Sequence, residues 1–510
     1  MKFNTKIIYS LIALSLLTFS GCEESFLDVQ PEDRITSVSF WQSEGDVELA
    51  LNGIYSVLRH RGIYGTGPSM DACTPDAYQW AHWNGKEQQI GNGSNTPGSS
   101  GLTKERWTMC YRIINRVNYF LDNIEQVELS DEASAMYLGE AHFLRGIAYA
   151  LLAETYGGAP ILESQLNPEE ARKVSRASLQ ETWDQAIADY DVAIEKLKVD
   201  APQVGRATKG AALGMKMRAY LYQNKYSEVL KVVDQIDALG KYELFPSYEG
   251  LFKLENENNN EVLFDIQYIG GELGQGSHFA WLALPQNEES GASDPAPTQH
   301  MVDAYEMIDG SAVDPDNPYV GRDPRLDFSI LRPGAYFEGK LYPIEVKNHT
   351  GQRVGFGLRK NVGEGIRMKT MRASPLNFIV LRYGDVLLSK AEALIETNQN
   401  IDEAIGLINR IRTERNDVKI TALPMGLSQA EAREKLRFER RIEFFGEGIN
   451  WTDIRRWNIG PDIYPVEVHA ADGSLIETKF PNGYTEKYNL LPIPDSERSL
   501  NPNLEQNPGW

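Results

Sequence analysis

Cysteine and histidine are scarce in this 510-residue chain, at three and seven residues, and the arrangement of the few present excludes most metal and thiol chemistry. No His-Glu-x-x-His occurs, no two histidines stand three or four apart, and no Cys/His cluster has zinc spacing. Cys73 and Cys110 are no disulfide framework; an exported chain could join the two, but with the first in a loop and the second in a helical stretch, buried thiols are the favoured reading. A Gly-x-Ser-x-Gly elbow, a phosphate loop and a dinucleotide glycine fingerprint are also missing. Asp314-x-Asp316-Asn317 lacks the rest of an EF-hand loop and reads as a solvated acidic turn. No catalytic residue, metal or cofactor is therefore assigned. Carboxylate pairs for glycoside hydrolysis stay open, because 72 acids always offer pairs somewhere. Basic charge is in deficit, with 51 Lys and Arg and a net charge of −21, and a nucleic-acid partner would need a basic footprint of a size not visible here. Beyond the first two dozen residues no stretch approaches ~18 continuous apolar residues, so the mature chain is expected to be soluble.

The apolar run that does exist lies at the front. Lys2 and Lys6 precede Ile7 to Phe19, and the small residues Ser20 and Gly21 precede Cys22. This is the layout of a signal peptide over 1–21, too short to span a bilayer as a mature helix. A cysteine at the cut site resembles the lipobox of bacterial lipoproteins, which makes Cys22 the expected acylated residue. Two or three acyl chains, at ~0.8 kcal/mol per buried methylene, hold a globule on a membrane without a spanning segment. Glu23-Glu24-Ser25 opens an acidic tether over 22–35 and resembles the surface-export signal of Bacteroidota lipoproteins; an ordinary solvated linker would look the same.

Helical periodicity dominates the remainder of the chain. Helices are expected at Arg106–Ile124, Ala133–Tyr156, Ser178–Leu197, Ala207–Gln223, Ser227–Leu239, Asn377–Glu396, Ile401–Arg415 and Ser428–Phe445. In the clearest, Ile401, Ala404, Ile405, Ile408 and Ile411 form one apolar stripe. Pairs of these helices, with small residues such as Ala219, Ala393 and Ala404 at close approaches, fit a weak tetratricopeptide pattern. The periodicity fades over about 261–372, where short strands such as Val262 to Tyr268 alternate with Gly, Pro and Asp turns. A second irregular stretch covers Gly62 to Lys104, and loops this long are usually functional or disordered. The expected fold is mainly α: a tetratricopeptide-like helical hairpin scaffold with a large loop-rich insertion containing short strands. It divides into a helical region over 36–240 and a region over 241–510 that contains the insertion.

The last 140 residues carry a resemblance. Asn377-Phe-Ile-Val-Leu-Arg-Tyr-Gly-Asp-Val-Leu-Leu-Ser-Lys-Ala-Glu-Ala, Glu439-Arg-Arg-Ile-Glu-Phe-Phe-Gly-Glu-Gly, Asp453-Ile-Arg-Arg-Trp457 and the ending through Leu491-Pro-Ile-Pro to Trp510 resemble the SusD/RagB family of surface nutrient-binding lipoproteins. Tyr305-Glu-Met-Ile-Asp-Gly310, Arg322-Asp-Pro-Arg325, Phe40-Trp41 and Ala50-Leu-Asn-Gly-Ile-Tyr55 agree, so the similarity covers the mature chain. One departure is Ile449-Asn450 ahead of Trp451, where the family tends to carry a basic residue. In the Glu439 helix, Arg440 and Glu443, and likewise Glu434 and Arg437, stand three apart and could pair on its surface. Buried versions of such pairs would instead fix the docking of the C-terminal tail.

The resemblance implies a non-catalytic oligosaccharide-binding protein at the outer membrane, facing the cell exterior and seated on a SusC-like TonB-dependent transporter. A sugar site needs flat rings for C–H faces and fixed polar groups for hydroxyls, and Tyr and Trp suit because their rims can hydrogen-bond. Rings on helices usually pack inward, so the loops supply the candidates. Tyr78, Trp80 and Trp83, with Asn84 and neighbours Asp76, Gln79 and His82, crowd one aperiodic segment, and Trp281 lies in the other. Trp80, Trp83 and Trp281 are expected to line one shallow platform, with Arg61 and Asn84 contacting hydroxyls. Two other readings are a surface glycoside hydrolase and a repeat adaptor that holds another protein without a small ligand.

Overall fold

The computed structural model describes residues 40–80, 85–271, 274–284, 291–342, 354–366 and 374–510. Cys22, Trp83, Asn84 and His82 lie outside them. The principal helices are α1 (Glu44–Leu58), α2 (Leu102–Asn123), α3 (Asp131–Tyr156), α4 (Leu179–Lys196), α5 (Lys209–Tyr222), α6 (Tyr226–Ala238) and α7 (His278–Ala283), then α8 (Tyr383–Glu396), α9 (Ile401–Thr413), α10 (Gln429–Glu443) and α11 (Asn450–Arg456). Among the short strands between them, those that bear on the site and the core are β1 (Ala77–Tyr78), β2 (Val262–Ile266), β3 (Ala296–Pro297) and β4 (Phe378–Arg382). Among the described residues no helix is long and apolar enough to cross a membrane.

The helices stack as consecutive hairpins. α3 packs on α2 and α4, α5 on α4 and α6, and α8 on α6, α9 and α10. Caps set several starts: the Ser130 hydroxyl accepts the Ala133 N–H at the front of α3, and Ser428 and Glu431 form a reciprocal capping box on α10. The apolar faces merge into one core running from Trp41 in the first described turn to Leu504 near the end. A second cluster, with Met301, Tyr305, Ile330 and Phe356, underlies the loop-rich part, and Ile442 of α10 belongs to it while Leu436 of the same helix faces the main core. Cys73 and Cys110 are buried and unbridged. Burial pushes the Cys110 thiol up to about 12.

The expected helix over 377–396 is two elements. Phe378 to Arg382 is a strand, buried at every position, that pairs antiparallel with β2, Ile266 opposite Phe378 and Val262 opposite Arg382. An unbroken apolar run suits a fully buried strand as well as a buried helix, and only the partner strand decides between them. Helix α1, absent from the periodicity reading, is held at its start by the Asp46 carboxylate, which accepts the Ser43 N–H at 2.8 Å.

Arginine–carboxylate contacts, all buried, lock the C-terminal motifs together. Arg382, at the end of β4, donates to Glu261 at 2.9 Å, to Glu443 at 2.8 Å and through two nitrogens to Glu447 at 2.7 and 2.9 Å. Arg415 bridges Glu443 and Glu261 at 3.0 and 2.8 Å, and Arg325 reaches Glu439 and Glu443 at 2.6 and 2.8 Å. The surface pairing expected along α10 does not occur. Arg440 turns inward to Asp385 at 3.0 Å and to Asp453 of α11 at 2.8 Å, Glu443 serves three other arginines, and no Glu434–Arg437 ion pair forms among the described residues. Both Arg440 and Glu443 are on the buried face of the helix, where their partners come from other elements. At the departure from the family pattern, Asn450 donates to Asp76 at 2.6 Å and Arg441 takes the same carboxylate. The tail closes when Asn507 donates to the Tyr156 and Leu491 carbonyls at 2.9 and 2.7 Å.

Candidate ligand-binding cleft

The turn after α1 folds back tightly. Tyr64 N–H donates to the Leu58 carbonyl at 3.1 Å and Gly65 N–H to the His60 carbonyl at 3.1 Å. A Cβ at Gly65 would stand 2.0 Å from the Arg59 carbonyl oxygen, so only glycine permits this approach. Arg106 of α2 then ties the turn down, donating Nε–H to the Gly62 carbonyl at 3.2 Å and Nη1–H to Thr155 at 3.1 Å. The result presents Arg59, His60 and Arg61 beside Arg112 and Arg116 of α2. The two α2 arginines are exposed and one turn apart, while Ile113, Ile114 and Val117 between and beside them face the core.

These side chains line a cleft of about 540 Å³, closed opposite by Tyr268 and by Gln275 and His278 of the segment leading into α7. Arg61 makes a two-nitrogen ion pair with Glu105, which holds its guanidinium above its usual range despite burial. Arg59 donates to the Gln275 carbonyl at 3.4 Å, linking the two walls. Burial raises the Tyr268 phenol well above its usual value, and nearby Arg59 opposes the shift. Among the described residues the lining holds no carboxylate, and no group of His, Cys, Asp or Glu is placed to hold a metal ion.

Trp281 stands next to this cleft. Its ring stacks on His278, centroids 5.8 Å apart and planes 9° from parallel, and it is half-buried on α7 rather than on a loop. Beneath it, Tyr78, Trp80 and Leu282 form a small apolar cluster. The structure thus brings Trp80 and Trp281 together but corrects the role expected of Trp80. Pairing of β1 with β3 draws its segment inward, leaving the indole 3% exposed with its N–H donated to the Ala292 carbonyl at 3.0 Å. Tyr78 is also buried, on β1, and Asp76 is spent on Arg441 and Asn450. Neither Trp80 nor Tyr78 offers a ring face to a ligand. The Asp314 carboxylate accepts the Asp316 N–H at 2.9 Å, closing an exposed turn.

A profile of the SusD family matches residues 260–510, and a second, described as "starch-binding associating with outer membrane", matches 25–221. The chain belongs to the SusD family. Relatives run its full length: SusD-like protein P25 of Formosa agariphila is 25% identical over 99% of this chain and 98% of its own. The starch-binding protein SusD of Bacteroides thetaiotaomicron is 22% identical over 99% and 100%. A crystal structure of a SusD-like carbohydrate-binding protein from Bacteroides fragilis superposes with a TM-score of 0.82 at 27% identity, covering 92% of this chain and all of that one. A second SusD-like structure from that organism gives 0.81 at 25% identity, over 94% and 100%. Within this SusD-family fold, the structure places Arg61 in the cleft lining and Trp281 beside it, and the lining also holds Arg59, His60, Arg112, Arg116 and His278, which the sequence reading did not name. Two signals were available: the basic triplet Arg59-His60-Arg61, and arginines four apart on the exposed face of α2.

Proposed function

We propose that this protein captures an extracellular oligosaccharide in the Arg59–Arg116 cleft, with Trp281 as its stacking ring, and passes it to a SusC-like TonB-dependent transporter. An acyl anchor on Cys22 holds it on the outer membrane, facing outward. Family membership over nearly the whole chain is the observation that carries this reading, because the matched descriptions concern starch binding and outer-membrane association. The cleft adds to it: planar guanidinium and amide groups suit paired hydroxyls, and an aromatic face stands at the rim. The protein performs no chemistry in this reading. Two-carboxylate glycoside hydrolysis finds no support in the cleft, whose described lining lacks both groups. Affinity electrophoresis of the whole protein, detergent present, through gels containing individual polysaccharides tests the reading. Retardation by at least one, weakened in Trp281→Ala, is expected; release of reducing ends instead would favour a hydrolase, and a co-purifying transporter without retardation would favour the adaptor.

A further inference from the structure

The charge of the cleft is more than a neutral sugar needs. Its lining carries four arginines and two histidines and, among the described residues, no Asp or Glu, in a chain with 72 acidic and 51 basic residues. Among the described residues, Arg61 alone of the four arginines has a carboxylate partner, Glu105. Arg59 meets the Gln275 carbonyl, Arg116 the Gly53 carbonyl, and Arg112 has no partner among the described residues. A carbonyl oxygen satisfies an N–H but leaves the positive charge in place. Three such guanidiniums around one cavity repel one another, and an anion between them would remove that cost. Hydroxyls do not require this arrangement, since Asn, Gln or Asp would serve them without repulsion. The guanidinium fork matches the two-oxygen edge of a carboxylate or sulfate and donates the shorter, stronger bonds of an ionised pair. The rest of the molecule argues the same way: a net charge of −21 repels polyanions in general, so an acidic glycan could dock only where the field is locally reversed.

We infer that this cleft selects glycans bearing ionised groups, the carboxylates of uronic acids or sulfate esters, over neutral ones. The inference rests on the glycan-capture reading and names the class of sugar.

Matched polysaccharide pairs test it on the whole protein in detergent. Polygalacturonate against its methyl ester isolates the carboxylate, dextran sulfate against dextran isolates the sulfate, and amylopectin and laminarin represent neutral glycans. The expected result is retardation by one charged member and not by its uncharged twin, and the pair that responds identifies the anion. Arg112 is exposed and without a partner among the described residues, so Arg112→Gln should fold normally, checked by an unchanged melting curve. It should weaken retardation about tenfold, the loss of one charge-assisted contact. Arg112→Lys should recover part of the loss, and rising salt should weaken binding throughout. Neutral glycans bound as tightly by the Arg112→Gln/Arg116→Gln double variant would overturn the charge inference and leave glycan capture standing. A charged glycan held unchanged by that variant would remove it from this cleft. Retardation by none of the six would overturn both readings.

Discussion

Trp80 belongs to a small apolar cluster against which Trp281 packs. Trp80 is enclosed and its indole N–H is spent on Ala292, whereas Trp281 is half-buried and stacks on His278 of the cleft wall. Trp80→Ala is therefore expected to cost about 3–5 kcal/mol of stability in urea unfolding, as large-to-small changes in a core do. Equal stability of Trp80→Ala and the parent would contradict the packing role. Both tryptophans were recognisable as aromatics in aperiodic sequence, but the pairing of β1 with β3, which buries one of them, joins residues more than two hundred positions apart. No local pattern encodes that contact. Asp71 is a different kind of buried residue. Gly446 N–H donates to its Oδ2 at 2.7 Å, and Oδ1 has no hydrogen-bond partner among the described residues. Burial pushes this carboxyl up to about 8 from 3.8, against the pull of the Gly446 N–H. The folded value exceeds the unfolded one, so folding takes up a proton, and this group's contribution, full below about pH 4, is lost as pH rises through about 8. Asp71→Asn should lie close to the parent near pH 4 and exceed it progressively up to pH 8, by a margin on the order of a few kcal/mol there. Urea titrations at both pH values check this, and a difference that does not widen with pH would sink it.

At the scale of elements, α10 acts as a tie between β4, α9 and α11. Burial alone would raise Glu443, yet Arg415, Arg382, Arg325 and Lys360 hold it well below the usual carboxylate range. A folded value below the unfolded 4.5 gives stability that is complete above that value and declines as pH falls further. Glu443→Gln leaves three arginines short of charge in a dry interior and should cost about 3–5 kcal/mol, measured by urea unfolding at pH 7. A loss under about 1 kcal/mol would show that these contacts do little more than exposed pairs do. Most helices were legible because an amphipathic stripe is a local signal, and Ile401–Thr413 appeared within two residues of its expected span. Strand β4 was not, since Phe378-Ile-Val-Leu has no period to read and its identity comes from β2. The inward turn of Arg440 was equally hidden: spacing shows which charges could meet along a helix, not whether that face is dry.

For the whole molecule, the leader and Cys22 carry the expectation of where the protein works, and the cleft the expectation of what it does there. Cys22→Ser should shift the protein from the membrane to the soluble fraction and abolish palmitate labelling, because the thiol is the atom that would carry the acyl group. Membrane retention of the unlabelled variant would contradict the acyl anchor. Family membership and the mainly helical build came from motifs spread along the chain, while the basic cleft depended on a turn, a helix face and a remote segment meeting in space. Hydrogen exchange on the protein with a retarding polysaccharide tests the central claim most directly. Protection is predicted to concentrate at 56–66, 109–116 and 274–281; protection confined to other surfaces, with these three segments unchanged, would contradict the assignment of glycan capture to this cleft.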